Sequence, residues 1–382
     1  MNLRRYFWMI IVCFAFAKAS SQESRPSEAW SGHAHAEDQE LKLHSWDASY
    51  FYGTILEHNK DIAHLITGHP EGFILSYNRK TYGFNAWERR FNYPDWGFSV
   101  VYQNLKNEAL GENLGVYGHY GFYFLNRKLQ FRIGQGLAIA SDPFDLQDNF
   151  RNNAYGTRIL SSTFAMINYD QPNIYQGIGI KAGISLIHYS NANLKAPNSS
   201  TNSFTFNIGL SYFPDADRQP DYIPDEKTPY SEPIKYNLVL RSGLNESDYI
   251  GLGQAPFLVV STFIDKRINR KSTLQLGADF FFSAFLKDLI EYQGLAFPNF
   301  GANGDEDWKR IGVFAGHELR FNRLALVTQL GYYVYYPYDF EGRTYFRAGL
   351  KRYFGDRLFG AVTLKSHGAK AEAVELGIGF RL

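Results

Sequence analysis

The stretch FTFNIGLSY, residues 204–212, alternates apolar and polar side chains without interruption. Successive side chains of a β-strand point to opposite faces. One face therefore carries Phe204, Phe206, Ile208, Leu210 and Tyr212, and the other carries Thr205, Asn207, Gly209 and Ser211. Large apolar residues opposite small polar ones are typical of a strand with one face toward lipid and the other toward a barrel lumen.

Segments with the same two-residue period recur along the chain, separated by polar turns. In the first half we place eight strands, at 48–57, 71–80, 96–104, 114–125, 129–140, 157–169, 174–190 and 203–213. In the second half the alternation predicts strands at 236–246, 256–266, 272–284, 286–295, 309–321, 323–336, 343–353 and 358–366, with a final strand at 371–382. The sequence therefore predicts an all-β protein, a transmembrane antiparallel β-barrel of about sixteen strands.

The N-terminus has the layout of a secretory signal peptide, residues 1–19. Arg4 and Arg5 precede an apolar run over 6–17, and Ala17-Lys18-Ala19 forms a small-x-small cleavage site. The only cysteine, Cys13, lies inside this segment, so the mature chain has no cysteine nucleophile or disulfide.

Composition indicates where the exported chain resides. Aromatic residues make up 17% of the chain, and it contains 34 glycines. The high aromatic content suits an outer-membrane barrel, which needs aromatic girdles at both lipid interfaces. A formal net charge of +1 gives no sign of a nucleic-acid partner. We expect a protein of the outer membrane of a Gram-negative bacterium, with a secreted soluble all-β protein as the alternative.

Four further segments follow the signal peptide. A polar stretch, 20–45, precedes the first strand-rich unit, 46–213, and residues 214–235 hold five prolines among acidic residues, as a linker does. The second β unit is 236–382. Two interpretations stay open at this point, namely two barrel units joined by the linker or one continuous barrel.

A candidate catalytic pair lies at the end of the seventh strand. The alternation over 178–187 continues through His188 and Ser190 on its apolar side. If the first strand runs outward from the periplasm, the seventh also runs outward, and this pair reaches the outer-leaflet rim with 191–202 as an external loop. Polar side chains facing lipid are costly, which favours a site that works on lipid.

Residues 188–198, HYSNANLKAPN, resemble the strand-and-loop motif of outer-membrane lipid A 3-O-deacylases, the PagL-like family. The eight-strand pattern extends the resemblance to about residues 46–213, and nothing comparable supports the second half. The resemblance implies a carboxylic ester hydrolase that removes an ester-linked acyl chain from lipid A without a metal or cofactor. It makes Ser190 the nucleophile and His188 the general base, and Asn191 and the Ala192 N–H would stabilise the oxyanion.

The chain departs from the family pattern at two positions. The family has a glutamate where this chain has Asn202, and usually a glycine at the position of Asn193. An asparagine orients an imidazole by hydrogen bonding but does not neutralise the imidazolium, and the analogous change in a serine protease costs roughly 10⁴ in turnover. Three alternatives follow: the enzyme is slow, another acid takes over, or the fold has kept its motif without activity. Asp145 and Asp148, in an external segment, are the candidates for another acid.

The second half contains a segment that echoes this site. Leu364–Ala369 precedes a closing strand, as the segment around His188 does, but Ala369 stands where Ser190 would correspond. Either the halves are a diverged duplication whose second copy lacks a nucleophile, or any two membrane strands look alike.

Metal-dependent and non-enzymatic functions are the competing interpretations. The ten histidines are scattered, and His33-x-His35 is the only close pair, so no zinc pattern emerges. A non-enzymatic barrel, either a porin-like pore or an envelope scaffold, is the alternative. Small residues on the lumen side of the fifth strand, such as Gly134 and Gly136, suit a narrow filled barrel better than a wide channel. The expected partners are lipid A or lipopolysaccharide as substrate and outer-membrane lipid.

Overall fold

A computed structural model describes residues 43–226, 228–298, 302–368 and 370–382. The expected signal peptide 1–19, nearly all of the polar segment 20–45 and the His33-x-His35 pair lie outside the described residues, and so does Ala369.

The strands form two closed antiparallel barrels, one after the other along the chain. Barrel 1 consists of β1 (His44–Ile55), β2 (Glu71–Arg79), β3 (Asp95–Asn104), β4 (Glu112–Phe124), β5 (Leu129–Ala140), β6 (Ile159–Tyr175), β7 (Ile178–Ser190) and β8 (Thr201–Tyr212). Barrel 2 consists of β9 (Lys235–Asn245), β10 (Ala255–Arg267), β11 (Ser272–Ser283), β12 (Arg310–Phe321), β13 (Leu324–Tyr335), β14 (Thr344–Phe354), β15 (Leu358–His367) and β16 (Lys370–Arg381). Pairing of β1 with β8 closes barrel 1, and pairing of β16 with β9 closes barrel 2.

The all-β fold with about sixteen strands is confirmed, and the strands close as two barrels rather than as one continuous barrel. The strand predicted at 286–295 is wrong, because that segment belongs to helix α2, Ala284–Ala296. Its buried residues are Phe285, Leu286, Leu289 and Ile290, spaced as one stripe of a helix.

Helix α1 (Ala86–Arg90) lies in the β2–β3 connection, which is long for a turn. Two short 3₁₀ helices span Lys60–Leu65 and Ala216–Arg218. None of the helices in the described part of the chain combines the length and the apolar character that a membrane-spanning helix requires.

Side chains alternate between the outside and the lumen as the period of two predicts. In β8, Phe206 is 67% exposed on the outside, whereas its neighbour Thr205 is fully buried in the lumen. In barrel 1, the end that carries the β1–β2, β3–β4, β5–β6 and β7–β8 connections is called the loop end, and the opposite end, which leads to residues 213–234, the linker end. The same names apply to barrel 2.

The lumen of barrel 1 is apolar toward the loop end and charged toward the linker end. Its apolar half is a packed cluster that includes Phe51, Ile55, Ile74, Val101, Leu160, Phe164 and Ile187. A Cβ on Gly134 would lie 2.3 Å from the Phe164 ring, so glycine is needed for this packing. In the charged half, Arg132 donates to both carboxylate oxygens of Asp47 at 2.9 and 2.7 Å. Side chains therefore occupy this lumen along its length.

The lumen of barrel 2 combines a buried cluster rich in aromatic residues with a set of ion pairs. The fully buried Arg347 donates to Asp279 at 2.8 Å and to Glu375 at 2.6 and 3.0 Å. Nearer the loop end, Arg310 holds both oxygens of Glu372, at 3.0 and 2.6 Å. Helix α2 packs over the loop end with Ala255 and the aromatic residues of neighbouring loops.

The two barrels contact each other at both ends. At the linker end, the Phe91 ring stacks on Phe321 with a centroid distance of 4.2 Å. The linker residue Glu232 pairs with Arg267 at 2.8 Å and with Arg381 at 2.9 Å, both in barrel 2. At the loop end, the β7–β8 connection of barrel 1 contacts barrel 2 and brings barrel 2 close to the candidate site.

Candidate active site

His188 lies near the loop end of β7, on the outward face of barrel 1. The strand register sets it between Thr163 of β6 and Asn202 of β8, and Thr163 in turn pairs with Gln135 of β5. These four side chains form a polar row across four strands, bordered by outward-facing apolar residues such as Leu186. Polar side chains are costly on a lipid-facing surface, so this row is a candidate functional site.

Asn202 fixes the tautomer of His188. The imidazole Nδ1 lies 2.8 Å from Asn202 Oδ1, an oxygen that only accepts hydrogen bonds, so Nδ1 carries the proton and donates it. The lone pair of the neutral ring is then on Nε2, where it is available to take a proton. The residue that replaces the family's glutamate is thus the partner of His188.

Ser190 continues the outward side of β7 but is only 5% exposed. The structure differs here from the sequence expectation, because the 191–200 loop folds over the hydroxyl and shields it from lipid. Ser190 Oγ donates to Asn198 Oδ1 at 3.0 Å and accepts from the Ala192 N–H at 2.9 Å. Among the described residues, no hydrogen bond joins Ser190 to His188.

Asn198 belongs to the site, although no role for it was predicted from the sequence. Its Oδ1 accepts from the Ser190 hydroxyl and also from the Asn191 N–H, at 2.9 Å. The available signal was its place in the HYSNANLKAPN motif, whose last residue it is.

The two predicted oxyanion donors are placed differently. The Ala192 N–H points at Ser190 Oγ, whereas the Asn191 side chain donates to the carbonyls of Lys195 and Pro197 at 2.5 and 3.3 Å. In this arrangement the Asn191 amide organises the loop and is not free to bind an oxyanion.

The turn that aims the Ala192 N–H is strained. Ala192 and Asn193 have φ of +55° and +60°, the left-handed region. For residues with a Cβ, this conformation costs roughly 1–2 kcal/mol each, and asparagine tolerates it better than most. The positive φ explains why the family usually has glycine at the position of Asn193. Strain of this kind persists only where surrounding contacts hold it.

The two aspartates considered as substitute acids lie in the β5–β6 loop. Asp145 Oδ1 accepts from the backbone N–H groups of Asp148 and Gln147, and these hydrogen bonds lower the pKa of its carboxyl. Its charge interacts with Lys195, and no contact joins either aspartate to His188 among the described residues. Within the same described ranges, no group of three or more His, Cys, Asp or Glu side chains is arranged to hold a metal ion.

In the segment of barrel 2 that resembles the site in sequence, the histidine lies on the lumen face and not on the outward face. His367 is buried in the lumen, with Nε2 3.1 Å from the Tyr333 hydroxyl and Nδ1 3.4 Å from Glu372. A one-residue difference in strand phase reverses the face of a side chain, and this separates His367 from the outward-facing His188.

Comparisons with known proteins also divide the chain into two parts, which correspond to the two barrels. A family model described as lipid A 3-O-deacylase (PagL) matches residues 71–211, which include His188, Ser190 and Asn202. A second model, described as acyloxyacyl hydrolase, C-terminal domain, matches residues 234–382 and so extends to the half for which the motif gave no support. No curated protein sequence matches the chain.

Solved structures similar to the chain include mutants of a Rhodopseudomonas blastica porin. One of these mutants is 8% identical, with a TM-score of 0.20, over 90% of this chain and 100% of the porin. A triple mutant of the same porin is also 8% identical, with a TM-score of 0.19 over the same shares of the two chains. TM-scores this low do not support an inference about fold or function. What the comparisons support is a family match for each part: residues 71–211, within barrel 1, match the lipid A 3-O-deacylase (PagL) family, and residues 234–382, which contain barrel 2, match the acyloxyacyl hydrolase C-terminal domain family.

Proposed function

We propose that the protein is an outer-membrane esterase that removes an ester-linked acyl chain from lipid A, with Ser190 as nucleophile and His188 as general base. One observation carries the assignment. The hydrogen bond from His188 Nδ1 to Asn202 leaves Nε2 free to accept a proton, two residues from a serine on the same side of the strand. Residues two apart on a strand lie roughly 6.5–7 Å apart at Cα, within side-chain reach.

The reaction begins when the Ser190 hydroxyl leaves Asn198 and turns toward His188. Its proton passes to His188 Nε2 while Oγ attacks the ester carbonyl carbon. The tetrahedral intermediate collapses, and the imidazolium returns the proton to the departing sugar alkoxide. Water, deprotonated by His188, then attacks the acyl-serine ester, releases the fatty acid and restores the Ser190 hydroxyl. Hydrogen bonds of this kind often form only once substrate is bound.

The Ala192 N–H is the proposed oxyanion donor. It already points at Ser190 Oγ at 2.9 Å, so a small shift would direct it to an oxygen on the attacked carbon. Preorganised donors of this kind contribute roughly 3–4 kcal/mol each in comparable hydrolases. The Asn191 side chain supports the same loop through its bonds to two carbonyls.

Lipid A is the proposed substrate because the matched family is named for it and because the polar row faces outward among apolar residues. An acyl chain would lie along the apolar surface of β7 and β8 while the sugar headgroup meets the row. The family and the barrel fold fit an outer-membrane protein, and we propose that location with the loop end outward. The packed interiors of both barrels count against the alternative of a porin-like pore.

Mass spectrometry of lipid A tests the proposal. We expect lipid A from cells that carry the gene to lack one ester-linked acyl chain, and lipid A from cells with the Ser190→Ala variant to keep it. Purified protein should release the corresponding fatty acid from lipid A in detergent. Identical lipid A in cells with and without the gene, together with no release by the purified protein, would reject the function.

A further inference from the structure

The catalytic loop of barrel 1 is hydrogen-bonded to barrel 2 through one glutamate. Asn193 Nδ2 donates to the Glu246 carbonyl at 2.9 Å, and the Glu246 N–H donates back to the Asn193 carbonyl at 3.2 Å. The Glu246 carboxylate also accepts from the Ala196 N–H at 3.3 Å. Both Glu246 and Asn193 are 5% exposed, so these bonds are shielded from water. Three hydrogen bonds thus join the loop of barrel 1 to Glu246 of barrel 2, and two of them are made by Asn193.

Further contacts connect the loop to the interior of barrel 2. The Gln254 side chain donates to the Leu194 carbonyl. Asn193 Nδ2 also reaches the Glu372 carbonyl at 3.5 Å. The Glu372 carboxylate is itself held in the lumen by Arg310 and Lys365, both buried. The loop is therefore attached to a part of barrel 2 that charged hydrogen bonds hold in place.

The bonded residues adjoin the strained turn. Asn193 is the second of the two left-handed residues, and Ala192, the first, supplies the N–H that points at Ser190. Released from its contacts, a turn of this kind relaxes toward ordinary backbone angles, and the N–H no longer points at Ser190. Contacts from barrel 2 oppose that relaxation.

We infer that barrel 2 positions the catalytic turn of barrel 1, and that Glu246 is the main positioning residue. The inference deepens the proposed function and rests on it for the catalytic consequence. It assigns a role to the second half of the chain, which holds no outward-facing His-Ser pair among its described residues. Glu246 acts through the turn and touches no reacting atom.

Steady-state kinetics of the full-length protein test the role of Glu246. Glu246→Ala removes the carboxylate that accepts from the Ala196 N–H and keeps the two bonds made by the Glu246 backbone. We expect it to lower kcat about tenfold with KM within about twofold, since a displaced donor weakens transition-state binding more than substrate binding. Glu246→Gln keeps an acceptor for the Ala196 N–H and should stay within about twofold of wild type. Glu291→Ala, an exposed glutamate on α2, is the matched control and should change nothing.

Trypsin cleavage after Lys195 gives a readout that needs no activity. Lys195 is an exposed residue of the loop, and cleavage there requires the loop to open. We expect Glu246→Ala and Gln254→Ala to speed this cleavage severalfold, whereas Glu291→Ala leaves it unchanged. A folded barrel shifts in gel migration on heating. If Glu246→Ala lacks this shift, Gln254→Ala replaces it as the test variant, because it removes only one exposed side chain.

The two measurements separate the inference from the proposed function. Faster cleavage with lower kcat supports the inference. Cleavage at the wild-type rate in both variants overturns it, and so does faster cleavage with unchanged kcat. If the wild-type protein has no esterase activity, the proposed function fails, and the cleavage rates still decide whether barrel 2 holds the loop.

Discussion

Barrels 1 and 2 have the same number of strands and the same antiparallel order, yet they place comparable residues on opposite faces. His188 of barrel 1 faces outward and bonds Asn202, whereas His367 of barrel 2 faces the lumen and bonds Tyr333. The same residue type near the end of equivalent strands thus belongs to a candidate active site in one barrel and to the packed interior in the other. Fold alone does not give function, and the phase of one strand decides which face a side chain serves.

The interiors of the two barrels differ as well. Both lumens hold an apolar cluster, but barrel 1 has its lumen ion pairs toward the linker end, whereas barrel 2 also has the buried pair of Arg310 and Glu372 near the loop end. Breaking a buried ion pair is strongly destabilising, because it leaves one charge unpaired. We therefore expect substitutions in barrel 1 at the rim to affect turnover and substitutions in the lumen of barrel 2 to affect stability.

The largest effect should come from Ser190→Ala and from His188→Ala. Each removes a group on which bond cleavage depends in the proposed mechanism, and loss of the equivalent groups in a serine protease costs roughly 10⁶ in turnover. The measurement is the rate of fatty acid release from lipid A by folded protein in detergent. Ser366→Ala, a serine near the loop end of β15, is the control and should retain full activity. A Ser190→Ala protein with the wild-type rate would move the nucleophile elsewhere.

Arg347→Leu tests whether the ion pairs in the lumen of barrel 2 stabilise the fold. The substitution removes the arginine that hydrogen-bonds both Asp279 and Glu375 in the lumen of barrel 2, and leaves the two carboxylates the longer ion pairs with Arg241, at 4.0 and 3.7 Å. Unfolding by denaturant in detergent should show a loss of about 3–5 kcal/mol. Arg218→Leu changes an arginine of the linker that is 81% exposed and should shift the unfolding free energy by less than about 0.5 kcal/mol. Equal stabilities for the two variants would contradict the structural role given to these ion pairs.

Asn202→Ala should lower kcat by about ten- to a hundredfold, which corresponds to about 1.4–2.7 kcal/mol. The imidazole loses the acceptor that fixes its tautomer, so kcat should fall more than substrate affinity. Asn202→Glu adds a negative charge beside the imidazolium and should raise kcat above wild type. Asn269→Ala, the same change at an exposed asparagine in the β10–β11 turn at the linker end of barrel 2, is the control and should keep the wild-type kcat. If neither Asn202 variant alters kcat, another residue orients His188.

The smallest effect concerns the linker and its dependence on pH. Burial acts to raise the pKa of Glu232, but hydrogen bonds from Tyr230, Arg267 and Arg381 outweigh it and lower the pKa to about 2. The stabilisation is complete above the ordinary pKa of about 4.5 and is lost as the pH falls from there toward 2.

Thermal unfolding from pH 7 to pH 3 checks this prediction. Glu232→Gln should be slightly less stable than wild type at pH 7, and the difference should shrink below about pH 4.5. A difference that stays constant across this range would show that the charge of Glu232 contributes nothing.

Most of the fold could be predicted from the sequence because lipid and lumen impose a period of two on every strand. The exception at 286–295 arose because a short apolar helix and a buried strand look alike over ten residues. There the residues that pack, Phe285, Leu289 and Ile290, follow a helical spacing that the alternation did not reveal.

The site was less accessible to sequence reasoning. The His188 and Asn202 contact follows from the antiparallel register of β7 and β8, and the family motif pointed to the same pair. The shielding of Ser190, the role of Asn198 and the bonds to Glu246 depend on loop residues with left-handed angles, and no hydrophobic period encodes such angles. Burial of Ser190 beneath its own loop therefore could not be foreseen from the face on which it lies.

The polar row of Gln135, Thr163, His188 and Asn202 has a consequence for kinetics. It faces outward across β5 to β8, so in the proposed function a lipid substrate reaches it by diffusing within its leaflet and not from bulk solution. Encounter is then two-dimensional, and the relevant concentration is the number of lipid A molecules per unit area of membrane. Adding inert detergent at a fixed bulk concentration of lipid A should slow turnover through surface dilution alone.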